Sequence, residues 1–449
     1  MPTRFRTLHA LVIVACAAAT TSVLPAQSAS SRATSDSLSA VERAIATHVD
    51  RRTPQAIALL EQVVNINSGT MNFAGVRQVG DVFRARFDAL GFKTTWVDGT
   101  AFGRAGHLMA EHKAAGPKIL LIGHLDTVFE PTSPFQKFEM LADSMARGPG
   151  ITDMKGGDVI ILLALEALKA AGALDKLNLV VVLDGDEEHA GEPVAKAREA
   201  VVDAARGAAV AIGFEDGAGD VRTGIVARRG ASSWTLTVKG TPAHSGQIFR
   251  DSVGPGAVFE TARILDAWRS QLSTQAYLTF NPGVALGGTR VALDGPQNKG
   301  TAEGKNNIVA EHMVVQGDLR ALSPGQLDSA RQVMREVVAR SLPHTSATVE
   351  FEDGYPPLAP TDGNRRLLAM YAEASRQLGL GDVVAVDPSK AGAADVSFVA
   401  SLVPMIIDGI GLAGRDGHTS AETADLRTLS VRAKRAAVLL HRLTTRSVM

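Results

Sequence analysis

Three short apolar runs, each broken off by acids or a histidine, constrain this chain more than any other feature. Residues 118–122 lead into His124 and Asp126. Residues 179–183 lead into Asp184-Gly-Asp-Glu-Glu188, and residues 209–214 into Glu215 and Asp216. Runs of five or six apolar residues without polar alternation suit strands buried on both faces. Helical spacing of apolar residues recurs between the first two, at 157–171, and before them at 40–66 and 76–90. The expected fold is therefore α/β, an open, mostly parallel sheet flanked by helices. Such sheets gather ligand-binding groups beyond the carboxyl ends of their strands, where these acids fall.

The pattern changes near Arg228. Residues 233–239 read SWTLTVK, the polar–apolar alternation of a half-exposed strand. A helix is expected at 256–272, strands at 278–286 and 307–319, a helix at 326–341 and a strand at 347–352. The order β-α-β-β-α-β describes a ferredoxin-like layer. After Gly354 the α/β character returns, with a helix at 364–378 and a strand at 403–407. We read residues 40–227 and 354–449 as two parts of one domain, and residues 228–353 as a second domain inserted into it.

The first 28 residues differ from the rest. Arg4 and Arg6 precede an apolar stretch from Leu8 to Leu24, followed by Pro25-Ala-Gln-Ser28. A charged start, a short apolar core and small residues at the end make a secretory signal. Secretion or export to a periplasm is the expectation, with residues 29–39 as a Ser- and Ala-rich linker. Cys16, the only cysteine, lies inside this stretch, so the mature chain would have no disulfide. The segment Ile13-Val-Ala-Cys16 also resembles a lipobox, which keeps lipidation of Cys16 as the alternative. No other stretch is apolar enough to span a bilayer. A net charge of −1 on 449 residues argues against a nucleic-acid or membrane-surface partner.

Five sites carry metal-binding chemistry. In His124-Leu-Asp126 the carboxylate can take the second ring N–H of the histidine and fix its tautomer. In Gly148-Pro-Gly-Ile-Thr-Asp-Met-Lys-Gly-Gly157 the glycines let Asp153 reach over a turn and bridge two cations. In Asp184-Gly-Asp-Glu-Glu188 four carboxylates within five residues repel unless cations neutralise them. One of Glu187 and Glu188 can bind metal while the other stays free as general base. Glu215 with Asp216, and His418 in Gly417-His-Thr-Ser-Ala-Glu422, complete the set. Each of the five alone has a bland reading, as a helix cap, an acidic turn or a strand-end histidine. Together, His and carboxylate ligands suit zinc, with cobalt or manganese as substitutes.

With these motifs the chain resembles the co-catalytic di-zinc metallopeptidases and amidohydrolases of the glutamate carboxypeptidase (carboxypeptidase G) type. HLDTV, GPGITDMKGG, DGDEEHAGE, FED, TPAHSG, NNIVA and GHTSAE occur in the family's order. The resemblance implies that Asp153 bridges two Zn2+ ions. His124 and Glu215 would complete one site, and Glu188 and His418 the other. Glu187 would be the general base for the attacking water, and Asp126 would orient His124. The peptide after Asp153 would be cis. In the inserted domain, His244 would stabilise the oxyanion, and Arg320 and Asn307 would hold the substrate's carboxylate. That domain would act as a lid and mediate a homodimer, with His244 serving the neighbouring subunit. Two departures bear on specificity rather than metal binding: Met154 replaces a commoner polar residue, and Ala391-Gly-Ala-Ala-Asp395 replaces a loop richer in Gly, Ser and Thr.

The implied activity is exopeptidase cleavage of an amide next to a free C-terminal carboxylate. Small peptides and N-acyl amino acids are the substrate classes. An N-acyl amino acid deacylase or a dipeptidase would use the same centre. A non-catalytic, metal-stabilised binding protein is the remaining alternative, although such a protein has no use for an unliganded Glu187.

Overall fold

The computed structural model describes residues 37–294 and 298–445. The signal segment, Cys16 and most of the linker lie outside the described residues. Its last residue is described: Ser39 caps the helix Ala40–Val64, accepting from the Glu42 backbone N–H while the Glu42 side chain accepts from Ser39. Two helix-terminal donors are thus satisfied reciprocally.

A six-stranded sheet forms the centre. Its strands are β1 (Lys93–Asp98), β2 (Gly106–His112), β3 (Lys118–His124), β4 (Asn178–Asp184), β5 (Ala208–Gly213) and β10 (Ile406–Ile407). The spatial order is β1-β2-β4-β3-β5-β10. Strands β4, β3, β5 and β10 are mutually parallel, while β2 runs against both its neighbours. The sheet is therefore largely parallel, as the apolar runs imply. Strand β3 sits in the middle, and its residues Ile119, Leu120 and Leu121 are wholly buried. The helix Gly156–Ala170 is apolar nearly all round and buried over most of its length. It packs between this sheet and the helices Ala40–Val64 and Arg427–Thr445.

Register decides where the site forms. His124 lies opposite Asp184, and Ile122 opposite Gly213. Three adjacent parallel strands thus end level with one another, and their acid-bearing loops leave from a single edge.

The second layer is a four-stranded antiparallel sheet. Strands β6 (Ala231–Gly240), β7 (Thr279–Gly288), β8 (His312–Arg320) and β9 (Thr345–Tyr355) stand in the order β7-β8-β6-β9. With the helices Gly256–Leu272 and Pro324–Val338 this is the β-α-β-β-α-β layer read from the sequence. Alternate residues of β6 are buried, among them Trp234, Leu236 and Val238. Trp234 meets Trp268 edge to face at 5.1 Å, a favoured aromatic arrangement. The chain enters and leaves this layer side by side, where Arg228 and Leu358 exchange backbone hydrogen bonds of 3.0 Å in each direction.

Several elements differ from the sequence reading. The strand expected over 307–319 begins only at His312, because residues 306–307 turn and Ile308 makes a single antiparallel bridge to His244. A two-stranded antiparallel pair is added, Arg290–Asp294 with Lys299–Glu303. The edge strand β1 and its antiparallel neighbour β2 lack a continuous apolar run, which kept them out of the sequence pattern. The C-terminal helix is hidden by its own arginines: Arg432, Arg435 and Arg442 are buried and donate to carbonyls and side chains of distant segments.

Candidate metal centre

His124 ends β3. The turn after it returns through Asp126, and the loop after β4 carries Glu187 and Glu188 beside it. Glycines bring Asp153 in from a different direction. Gly150 has φ +71°, and a Cβ there would lie 2.4 Å from Thr127 Cγ2. A Cβ on Gly157 would lie 2.1 Å from the Phe214 carbonyl oxygen. The Asp153–Met154 peptide is cis. His418 comes from a loop near the C-terminus with φ +63°, an unusual backbone for a non-glycine residue.

These segments converge on Asp153. Its Oδ1 lies 3.1 Å from His124 Nε2, and its Oδ2 lies 2.9 Å from His418 Nε2. Glu215 Oε1 is 3.4 Å from His124 Nε2, and Glu188 Oε2 is 3.0 Å from His418 Nε2. The result is two clusters, His124–Asp153–Glu215 and Asp153–Glu188–His418. Each places one imidazole and two carboxylates within reach of a common point, and Asp153 belongs to both. Glu187 stands outside both, next in sequence to a member of one.

A second ring of contacts fixes these groups. His124 Nδ1 lies 3.1 Å from the Asp126 carbonyl and 3.4 Å from its carboxylate. With Nδ1 as the donor, Nε2 is left free to bind a cation. The Asp126 carboxylate also accepts from Thr70 Oγ1 (2.6 Å) and from the backbone N–H of Glu187 (3.0 Å) and Glu188 (3.2 Å). Glu422, quoted within GHTSAE but given no role from sequence, holds the Asp153 turn. It accepts from Gly150 N (3.0 Å), Thr152 N (2.9 Å), Thr152 Oγ1 (3.0 Å) and Asp153 N (3.3 Å). Asp408, at the end of β10, accepts from Glu215 N (3.4 Å) and from Arg228 Nε (2.7 Å). Its place after a short apolar run was a signal of the same kind as the others. Thr70 carries no such signal.

The electrostatics call for positive charge. Hydrogen bonds to Asp153 and Glu188 push the His418 imidazole up to about 11. Burial, reinforced by the Asp153 carboxylate, pushes Glu215 up to about 8. Burial works to raise Asp153 too, but the hydrogen bonds from His124 and His418 win and hold it low. Burial and the Asp395 carboxylate raise Glu187 well above the usual carboxylate range. A cluster that draws protons this strongly is suited to hold cations in their place. The donor set, nitrogen and oxygen with one shared carboxylate, fits a pair of divalent transition metals.

The structure does not bring His244, Asn307 or Arg320 into either cluster. His244 and Asn307 adjoin each other, with Ser245 N donating to the Asn307 carbonyl at 2.8 Å, and both are exposed. They lie past the far end of β6. Arg320 lies at its near end, beside the chain crossing, and pairs with Asp318 at 3.0 Å. Strand β6 is ten residues long, so the two groups stand on the order of 30 Å apart.

The model of peptidase family M20/M25/M40 matches residues 120–442. Carboxypeptidase G2 of Pseudomonas sp. (strain RS-16) is 26% identical over 399 residues, covering 86% of this chain and 89% of that protein. Among solved structures, aminopeptidase PepT of Bacillus cereus superposes with a TM-score of 0.67 at 19% identity, covering 87% of this chain and 98% of that one. The Bacillus subtilis YXEP protein, described as a dinuclear metal binding peptidase from the M20 family, superposes with a TM-score of 0.61 at 15% identity. It covers 88% of this chain and 99% of its own.

Proposed function

The chain belongs to peptidase family M20/M25/M40 and is a metal-dependent peptidase or amidohydrolase; from that premise we propose that it is a di-zinc exopeptidase. It would hydrolyse the amide bond next to a free C-terminal carboxylate. The observation that carries this reading is the pair of clusters sharing Asp153, with an unliganded Glu187 beside them.

Two zinc ions would supply Lewis-acid polarisation and a lowered water pKa, held by His124, Asp153 and Glu215 on one side and Asp153, Glu188 and His418 on the other. Glu187 takes the proton from the attacking water. It then returns that proton to the leaving amine. Asp126 keeps His124 in the tautomer that presents Nε2. Arg320 binds the substrate's terminal carboxylate, assisted by the partner subunit's Asn307, and offers a planar fork of donors for the purpose. Because His244 and Asn307 sit far from the crossing that Arg320 adjoins, they would serve the site of a second copy. A homodimer formed through the four-stranded layer follows, with that layer as the lid. Among the described residues no helix is long and apolar enough to cross a membrane. The N-terminal signal supports secretion or a periplasmic location.

The test is hydrolysis of N-acyl amino acids and free dipeptides with and without added zinc. Zinc-dependent release of a C-terminal residue, preferentially an acidic one, is the expected result. Cleavage of free dipeptides or neutral N-acyl amino acids alone would move the assignment to a dipeptidase or deacylase on the same centre. Arg320→Ala should raise KM for carboxylate-bearing substrates about 30-fold, the value of a charge-assisted pair of hydrogen bonds. An unchanged kcat/KM in that variant would refute the carboxylate clamp.

A further inference from the structure

The chain crossing between the two layers is tied to the metal centre from both of its strands. On the entering strand, Arg228 Nε donates to Asp408 (2.7 Å), and Asp408 accepts from Glu215 N. On the leaving strand the tie is shorter. Tyr355 is the last residue of β9, and its hydroxyl donates to the Glu187 carbonyl oxygen at 2.7 Å.

The Tyr355 hydroxyl is itself held. Arg198 Nη2 donates to it at 2.9 Å. The same guanidinium donates to Asp186 Oδ1 (2.6 Å), to the Asp186 carbonyl (3.1 Å) and to Asp395 Oδ1 (2.7 Å). Arg198, Asp186 and Asp395 are all essentially buried. The Tyr355 ring packs on Phe398 at 5.0 Å. Burial and the Asp395 and Glu187 carboxylates push the phenol up, so it remains a donor. A phenol that accepts from a cation and donates onward is polarised, which strengthens its second hydrogen bond.

Glu187 and Glu188 are therefore gripped from two sides. Asp126 takes both their backbone N–H groups, and Tyr355 takes the Glu187 carbonyl. The Glu187 carbonyl and the Glu188 N–H are the two polar groups of the peptide between the glutamates, and the Glu187 N–H belongs to the peptide before it, so the contacts hold both planes that set where the Glu187 carboxylate points. Only the Tyr355 contact comes from outside the loops of the central sheet.

We propose that Tyr355, backed by Arg198, is a positioning residue for Glu187, linking the orientation of this general base to the chain crossing that leads out of the four-stranded layer. The proposal rests on the Glu187 assignment made above and adds the group that aims it. Tyr355 touches no reacting atom. Without its hydroxyl the Glu187–Glu188 peptide can rotate, and a carboxylate displaced by a fraction of an ångström transfers protons poorly.

The test compares Tyr355→Phe and Phe398→Leu with the unaltered full chain at saturating zinc. Loss of one buried hydrogen bond of ordinary strength corresponds to about tenfold. Tyr355→Phe should therefore lower kcat about tenfold with KM within about twofold, and two zinc ions per chain should be retained. Hydrogen exchange of the backbone amides over 184–190 should rise about tenfold in the same variant. Phe398→Leu keeps the hydroxyl and should hold kcat near the parent value despite a lower Tm. A wild-type kcat in Tyr355→Phe, unchanged exchange over 184–190, or an equal kcat loss in Phe398→Leu would each overturn the proposal. The exchange measurement reads the tie whatever the protein cleaves. Absence of turnover by the parent chain would count against the functional reading alone.

Discussion

Glu422→Gln probes the turn that carries Asp153. Glu422 is wholly buried, and its two oxygens accept four hydrogen bonds from the turn. A glutamine keeps the shape but one oxygen becomes an NH2. If the amide oxygen takes the place of Oε1, it retains Thr152 N, Thr152 Oγ1 and Asp153 N as donors. The NH2 then faces the N–H of Gly150, donor against donor, and that backbone group loses its partner at a cost of about 1–3 kcal/mol. The three retained bonds change from charged to neutral acceptors, each weaker by up to about 1 kcal/mol. Removal of a buried charge offsets part of this. The net expected loss is about 2–3 kcal/mol of stability, read as the shift in urea midpoint at constant slope. The same change loosens the backbone that aims Asp153 at both histidines. Zinc affinity, measured by competition with a chelator, should fall about 10- to 100-fold, and kcat at saturating zinc should largely recover. A variant that loses stability yet holds zinc as tightly as the parent would refute the claim that Glu422 aims Asp153.

Other consequences are open to direct measurement. Buried Glu42 meets Arg442 at 2.6 Å, tying the first helix to the last. Burial raises its pKa, but the Arg442 and Ser39 hydrogen bonds prevail and leave it below the ordinary 4.5. A depressed carboxylate contributes stability that is fully present above the unfolded value and lost as pH falls through the folded one. Glu42→Gln should therefore cost about 1–3 kcal/mol at pH 7, and its gap from the parent should close in acid below 4.5; a gap independent of pH would contradict the ion-pair account. In the four-stranded layer, Trp268 is wholly buried and donates to the Met334 carbonyl. Trp268→Ala should cost about 3–5 kcal/mol, and an unchanged thermal midpoint would show that this layer has no core of its own. Removal of metal by a chelator should abolish hydrolysis, and zinc should restore it.

Much of the centre was legible because its signals are local. His124, Glu188 and Glu215 each follow an apolar run by one to five positions, and parallel register brings those run ends together. Asp153 was legible through the glycines that its tight turn requires. What stayed hidden depends on distant pairings. Glu422 meets the Asp153 turn across some 270 residues, Thr70 meets Asp126 across 56, and Tyr355 meets Glu187 across 168. No periodicity records such contacts. The C-terminal helix was missed because its buried arginines break the apolar stripe that marks a packed helix. Likewise, the expected strand over 307–319 was too long at its start because Ile308 and Val309 read as strand residues, although the backbone there turns to meet Ser245.

The most direct test of the account is the turnover of Glu187→Gln loaded with zinc, on the substrate the parent chain cleaves best. Glutamine matches glutamate in size but cannot take a proton. The account predicts a kcat lower by about 10²- to 10⁴-fold, with KM within a few-fold and two zinc ions per chain retained. A kcat close to that of the parent chain would show that Glu187 is not the base and would contradict the reading of this centre.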